Sequence, residues 1–475
     1  MKTVQRIAKN TVVLLLSDIV SKVLGFFYVM YTARYLGAEG FGILSFALTF
    51  TGIFGVFSDL GLSSLTVREV ARDKSLAGKY LGNIAVMKIF LVIIVLGLIT
   101  LTINLLGYPE QTIKVVYLVA LSIIFNTFSG MFYSIFQAYE KMEYQSLGQI
   151  LSSVLVLLCT LLVISQGFDI VGFAWIYFIV SMIVLGYAFA VCAWKFVLPK
   201  IEIDWSFWKA TIKEALPFFL SAVVGIIVFK VNIIILSMMK GNIVVGYYSA
   251  AYRLFEILMF IPVTFVGSIY PILSNFYVSS QKSLKLAYQK SFKYLSIMGL
   301  PIAVGITLLA DKIILIIYKS EFSQSTIALQ ILIWTVPIIF LTYMFGTMLA
   351  SINRQLLLLK INFICMLLNV GMNLILIPKY SFIGISIATV ITSLLSFILC
   401  FYFLSKFVFK IQIYNIAIKP IIASVIMGLF IQYFLKTNLF LLVCICIIIY
   451  FVILIILKTF SREDLNLFKQ AANIK

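Results

Sequence analysis

The chain has 475 residues, 63% hydrophobic and 11% charged, and its 36 Lys/Arg against 17 Asp/Glu give a formal charge of +19. Apolar runs of about twenty residues recur from end to end, which excludes a water-soluble globular protein and identifies a polytopic membrane protein. The basic residues cluster beside those runs, so they report membrane orientation and exclude nucleic acid as the partner.

In chain order the runs predict fourteen spanning helices: 11–33, 41–62, 82–106, 113–136, 146–166, 170–194, 216–239, 245–276, 293–318, 326–350, 355–378, 382–404, 416–435 and 438–458. The start, MKTVQRIAKN followed by an apolar run, shows no small-residue cleavage site and is interrupted by Asp18 and Lys22, so it reads as a retained first helix. We placed the N-terminus inside and counted charges at span ends with the neighbouring loop. The inside then holds 25 Lys/Arg and the outside 7, while Lys22, Lys88, Lys230 and Arg253 lie within spans. Both termini are therefore expected in the cytoplasm, in a multi-pass protein of the cell membrane.

Outside loops such as Gly107-Tyr108-Pro109-Glu110 are very short, whereas the inside connections 63–81, 195–215 and 277–292 are longer and basic. Segments 63–81 and 277–292 are amphipathic enough to lie along the headgroups, with a solvated basic loop as the other reading. No connection is large enough for a catalytic domain, so a membrane-embedded polymerase or glycosyltransferase is disfavoured and no enzyme is expected. The six cysteines all fall in apolar spans, where they act as small hydrophobes, and the chain has no histidine, so no metal or other cofactor is expected.

An internal repeat aligns Phe41-Gly42-Ile43-Leu44-Ser45-Phe46-Ala47 with Val245-Gly246-Tyr247-Tyr248-Ser249-Ala250-Ala251, and Ile170-Val171-Gly172 with Phe382-Ile383-Gly384. The fold class that follows is an all-α polytopic membrane protein of about 14 transmembrane helices: two pseudo-symmetric six-helix bundles plus two extra C-terminal helices, working by alternating access. The expected division is 1–200 for the N-terminal lobe, 201–410 for the C-terminal lobe and 411–475 for the extra helices and a cytoplasmic tail. Pro262, Pro271, Pro301 and Pro337 fall inside predicted spans, where each can kink its helix.

A Lys or Arg at mid-bilayer costs roughly 2.5–3.5 kcal/mol on insertion scales, so retained charges face a bundle interior or a wet cavity. Asp18 and Lys22 share one helical face, as an internal ion pair or as a titratable pair that exchanges partners during transport. Lys88 lies roughly 9 Å into its helix, and its stem could reach the inside headgroups. Lys230 is roughly 13 Å from the outer end of its helix, too deep to reach that surface. Lys230 and Arg253 stand at nearly equal offsets on either side of Gly241, which puts them at one expected level, with Glu256 and Asn232 as nearby polar groups. Four intramembrane cations against Asp18 and Glu256 leave two positive charges, a bias suited to an anionic ligand such as a phosphate or pyrophosphate. A shared structural network of Lys230, Arg253 and Glu256 is the other reading.

Three passages carry a family resemblance: ARYLGAEGFGILSFALTFTGIFGVFSDLGL (33–62), with Asp59-Leu60-Gly61-Leu62 and the Arg68-Glu69 beyond it, VGYYSAAYRLFE (245–256) and LNVGMNLILIPKYSFIGISIATVI (368–391). The chain resembles a polysaccharide (O-antigen type) flippase of the multidrug/oligosaccharidyl-lipid/polysaccharide exporter superfamily along nearly its full length. The resemblance implies a polyprenyl-pyrophosphate-linked oligosaccharide repeat unit as cargo, membrane lipids and polysaccharide polymerase and ligase machinery as partners, and a groove for the lipid tail at the last two helices. Relatives frequently carry an aspartate where this chain has Asn232. The expected cavity residues are Lys230, Arg253, Lys22, Lys88 and Asn232, with Asp18, Glu256 and Asp59 as coupling or ion-pair groups. A cation-coupled multidrug exporter and a lipid-linked peptidoglycan precursor flippase are the alternatives on the same fold.

Overall fold

The computed structural model describes residues 3–198, 202–408 and 413–460; the expected tail beyond 460 lies outside them. In chain order the helices are α1 (Thr3–Gly55), α2 (Leu62–Arg72), α3 (Ala77–Leu105), α4 (Glu110–Ala138), α5 (Met142–Ser165), α6 (Ile170–Lys195), α7 (Trp205–Lys240) and α8 (Asn242–Leu258). They continue with α9 (Phe260–Ser279), α10 (Gln281–Tyr318), α11 (Ser325–Leu332), α12 (Thr335–Ser351), α13 (Gln355–Phe407), α14 (Ile413–Tyr433) and α15 (Leu439–Ile456). Among the described residues all regular structure is helical, as hydrocarbon solvent requires of a chain that must satisfy its own backbone.

Among the described residues eleven helical stretches are long and apolar enough to cross a membrane, or twelve with α7, which bends by 48° between Trp205–Ile226 and Lys230–Lys240. Two of them cross twice. A 47-residue stretch from Val12 to Ser58 is about 70 Å long, more than twice the hydrocarbon thickness, and it breaks at Gly37 (φ 68°). Asn10 Nδ2 donates to the Glu140 carbonyl at 2.9 Å, beside the end of α4, and Leu62 and Leu65 pack in one core with Phe136 and Ala138 at that same end. The chain therefore leaves that end, turns at Gly37 and returns. α13 repeats the device at Ser381 (φ 54°), where Asn369, twelve residues before, donates to Thr392, eleven after, at 3.2 Å. Dividing α1 and α13 at their breaks restores the fourteen spans read from the sequence.

The chain separates into two compact units, Met1–Ser249 and Ala250–Lys475. Within the first unit α7 packs on α1 and α2. Gly61 (φ 77°) makes that packing close: a Cβ there would lie 2.6 Å from the Ala215 carbonyl oxygen and 2.8 Å from the Phe219 nitrogen. Arg68 on α2 pairs with Glu214 on α7, and Phe57 meets Phe219 edge-on. Ahead of α7, the Asn83 side chain, fully buried, accepts from the Asp204 amide and from Trp208 Nε1, both at 3.0 Å, while Lys79 pairs with Asp204 at 3.1 Å.

The repeat-equivalent glycines meet within the first unit. A Cβ on Gly42 would lie 1.8 Å from the Asn242 carbonyl oxygen, and one on Gly246 would lie 2.0 Å from that of Ala38. Ala38 precedes Gly42 by four residues, as Asn242 precedes Gly246, so the crossing is reciprocal, the local signature of two related halves.

Of the two connections read as amphipathic, 63–81 yields α2, with Leu62, Leu65 and Val70 buried and Arg72 exposed. Segment 281–292 instead continues into α10, and its Leu284, Tyr288 and Phe292 are buried on one face. In the second unit α14 and α15 pack on α10, with Lys312 Nζ donating to the Thr437 carbonyl at 2.8 Å and Tyr450 Oη donating to that of Ile297 at 2.8 Å.

Candidate functional site

Within the first unit α1, α4, α5 and α6 surround a cavity of ≈ 440 Å³. Its walls are helical stripes: Asp18, Ser21 and Lys22 on α1, Asn126, Ser129, Gly130 and Tyr133 on α4, and Gly148, Gln149, Ser152 and Ser153 on α5, closed by Val184 on α6. The spacings of three, four and seven residues put each set on one face of its helix. Gly148 lets the Tyr133 phenol lie against α5, since a Cβ there would be 2.1 Å from Tyr133 Oη. Ser17, buried on α1, donates to Gln149 Oε1 at 3.1 Å and holds α1 against α5. Tyr28 and Tyr177 share a hydroxyl bond of 2.6 Å between α1 and α6.

Asp18 and Lys22 are exposed and line this cavity. Lys88 has a different setting. Its side chain is 0% exposed, and its ammonium donates to Asp59 Oδ1 at 2.6 Å, to Ser63 Oγ at 3.0 Å and to the Thr127 carbonyl at 3.1 Å. The stem does not run to the headgroups, because Asp59, held in the turn between α1 and α2, answers the charge inside the bundle. Ser63 also donates its hydroxyl and its backbone N–H to Asp59. Counting Asp59 lowers the excess of positive charge in the spans from two to one.

Lys230 is half-buried in α7 just past the bend, and Asn232 is buried at 5% exposure. Arg253 Nη1 donates to Glu256 Oε2 at 2.8 Å, so the i, i+3 pair read from the sequence forms on α8. Lys230 belongs to the first unit and Arg253 to the second.

The amide and hydroxyl stripes on α4 and α5 escaped a sequence reading that weighed charges alone. The signal was present: Asn126-x-x-Ser129-Gly130-x-x-Tyr133 and Gly148-Gln149-x-x-Ser152-Ser153 repeat polar or small residues at helical spacing inside apolar runs.

The polysaccharide biosynthesis protein profile matches residues 7–277, and the MatE profile matches residues 217–375. The chain is 23% identical over 411 residues to the probable low-salt glycan biosynthesis flippase Agl15 of Haloferax volcanii, covering 85% of this chain and 84% of that one. It is 24% identical over 305 residues to the putative O-antigen transporter of Escherichia coli K12, covering 64% of this chain and 73% of that one. Its fold is like that of the lipid II flippase MurJ in an inward closed conformation, with a TM-score of 0.77 at 18% identity over 92% of this chain and 97% of the other. A profile that spans more than half of the sequence, on a bundle of doubled-back membrane helices, places the protein: the chain belongs to the polysaccharide biosynthesis protein family, within the multidrug/oligosaccharidyl-lipid/polysaccharide exporter superfamily of membrane flippases.

Proposed function

We propose that the protein moves polyprenyl-pyrophosphate-linked oligosaccharide repeat units from the cytoplasmic to the outer leaflet for surface polysaccharide assembly, by alternating access. The observation that carries this reading is the polar cavity of the first unit, which turns two charges and a ring of amides and hydroxyls inward at the depth of the membrane spans. A glycan headgroup must cross about 30 Å of hydrocarbon, and only such a lining replaces the water it leaves. Lys22, Lys230 and Arg253 serve the anionic linker, with Lys88 and Asn232 in supporting positions, while Asp18, Glu256 and Asp59 are the acids available for coupling. The basic inside loops favour cytoplasmic termini, and the names of the two relatives favour a glycan cargo. Polymerase and ligase machinery on the outer side would receive the product.

Deleting the protein is expected to trap lipid-linked oligosaccharide in the cytoplasmic leaflet and to abolish surface glycan. An unchanged pool and unchanged surface glycan would overturn the reading. Lys22→Ala, Lys230→Ala and Arg253→Ala are each expected to stop transport in protein that still inserts and accumulates. The match of the MatE profile to 217–375 supports a second reading, a cation-coupled exporter of cationic drugs. That reading requires drug resistance to fall on deletion while the lipid-linked glycan pool stays constant.

A further inference from the structure

The cavity between α1, α4 and α5 holds more hydrogen-bonding capacity than the protein uses. Buried Ser21 Oγ and Tyr133 Oη have no hydrogen-bond partner among the described residues. Asn126, exposed on the cavity in the middle of α4, and Ser152 on α5 bond no other described side chain or carbonyl. Gln149 has its oxygen occupied by Ser17, which leaves its two amide N–H groups facing the same space. Open to the cavity, such groups bond water until a ligand replaces it, and a wall of five of them suits an occupant that offers hydrogen bonds in return.

The lining narrows the class of occupant. A metal cation needs several oxygen ligands and net negative charge, whereas among the described residues this wall has one carboxylate, Asp18, with Lys22 one turn away. A free phosphate needs clustered cations, and among the described residues Lys22 is the one cation lining the cavity. An apolar drug would leave the amides unbonded. Neutral groups that both donate and accept, set beside one acid, match vicinal hydroxyls, which do the same. The ≈ 440 Å³ volume lies within the range of roughly 300–1,000 Å³ typical of small-molecule sites and holds a sugar or a short glycan.

We infer that Asn126, Gln149, Ser152, Ser21 and Tyr133 form a sugar-recognition subsite that selects the glycan headgroup, with Asp18 accepting from sugar hydroxyls and Lys22 standing at its edge for the linker phosphate. This rests on the flippase reading above. The subsite lies toward the α4–α5 turn and the start of α1, which Asn10 and Glu140 tie together, so the headgroup enters from that end.

The test uses full-length protein in lipid nanodiscs and two probes: the polyprenyl-pyrophosphate glycan extracted from a deletion strain, and polyprenyl pyrophosphate without sugar. Wild type is expected to prefer the glycan-bearing lipid by about 25-fold or more. Asn126→Leu with Gln149→Leu should lower that preference about 25-fold, at roughly fivefold for each of two lost hydrogen bonds, with affinity for the sugar-free lipid unchanged. Lys22→Ala should weaken both probes alike. Ser152→Ala, which removes a single hydroxyl, gives the same readout at about fivefold should the double variant not accumulate. A preference retained in these variants, or a wild type that does not distinguish the probes, overturns the subsite and leaves the flippase reading standing. A wild type that binds neither probe, together with unaltered surface glycan on deletion, overturns the flippase reading itself.

Discussion

The buried pair of Lys88 and Asp59 gives an asymmetric prediction. The lysine side chain is 0% exposed and the aspartate 32%, so the two partners fare differently when the other is removed. Asp59→Ala leaves an ammonium sealed in the bundle with only the Ser63 hydroxyl and the Thr127 carbonyl, which is expected to cost about 3–5 kcal/mol. Lys88→Met leaves a carboxylate that water can reach and that still accepts the Ser63 hydroxyl and N–H, so its cost is nearer 1.5–2 kcal/mol, roughly one charged hydrogen bond. The double variant Lys88→Met with Asp59→Leu removes both charges at once and should be more stable than Asp59→Ala alone. Unfolding by SDS titration, followed by tryptophan fluorescence, supplies the double-mutant cycle. Lys88 holds the carbonyl of Thr127, and the preceding residue, Asn126, faces the cavity, so transport should fall in the same order as stability. The reasoning is refuted if Asp59→Ala costs no more than Lys88→Met, or if the two single effects simply add.

Gly61→Ala should destabilise by roughly 1–2 kcal/mol from its left-handed backbone alone, and more through contact with Ala215 and Phe219; a cysteine cross-link between positions 68 and 214 should become inefficient as α7 lifts from α2. Gly42→Ala and Gly246→Ala should each force apart the reciprocal crossing, seen as a fall in the SDS unfolding midpoint; an unchanged midpoint would mean that the backbones do not touch. Asp204 caps α7 and faces Lys79, and the bonds from Ser206, Phe207 and Lys79 hold its carboxyl below the usual value of 3.8. A depressed folded value means that its contribution is complete above the ordinary carboxylate range and is lost as pH falls through the lower, folded value. Fluorescence of Trp205 and Trp208 should therefore stay constant from pH 8 down to about 4 and change only in stronger acid, and Asp204→Asn should abolish that acid change.

Much of the architecture was legible because hydrocarbon punishes any polar backbone or side chain along some twenty residues, so the length of each apolar run reports a span directly. The turn residues between runs were equally plain, and Gly37 and Ser381 fall between predicted helices even though each lies within one long helical stretch. The repeat read from Gly42 and Gly246 found a physical counterpart in their reciprocal crossing.

The site was read less fully. Arg253 and Glu256 pair three residues apart on one helix, and Asp18 and Lys22 line one cavity four residues apart, relations that the helical period reveals. Lys88 meets a carboxylate 29 residues away, in a turn that the sequence reading had placed inside a helix, and only packing brings them together. Neutral stripes on α4 and α5 carry no insertion penalty large enough to stand out from ordinary core serines, and they become a wall only when three helices aim them at one space. The sequence by itself determined the solvent, the number of spans and the family. Tertiary structure decided which polar groups are answered within the protein and which face a cavity, because a hydrogen bond depends on distances of about 3 Å between helices that chain order does not bring together.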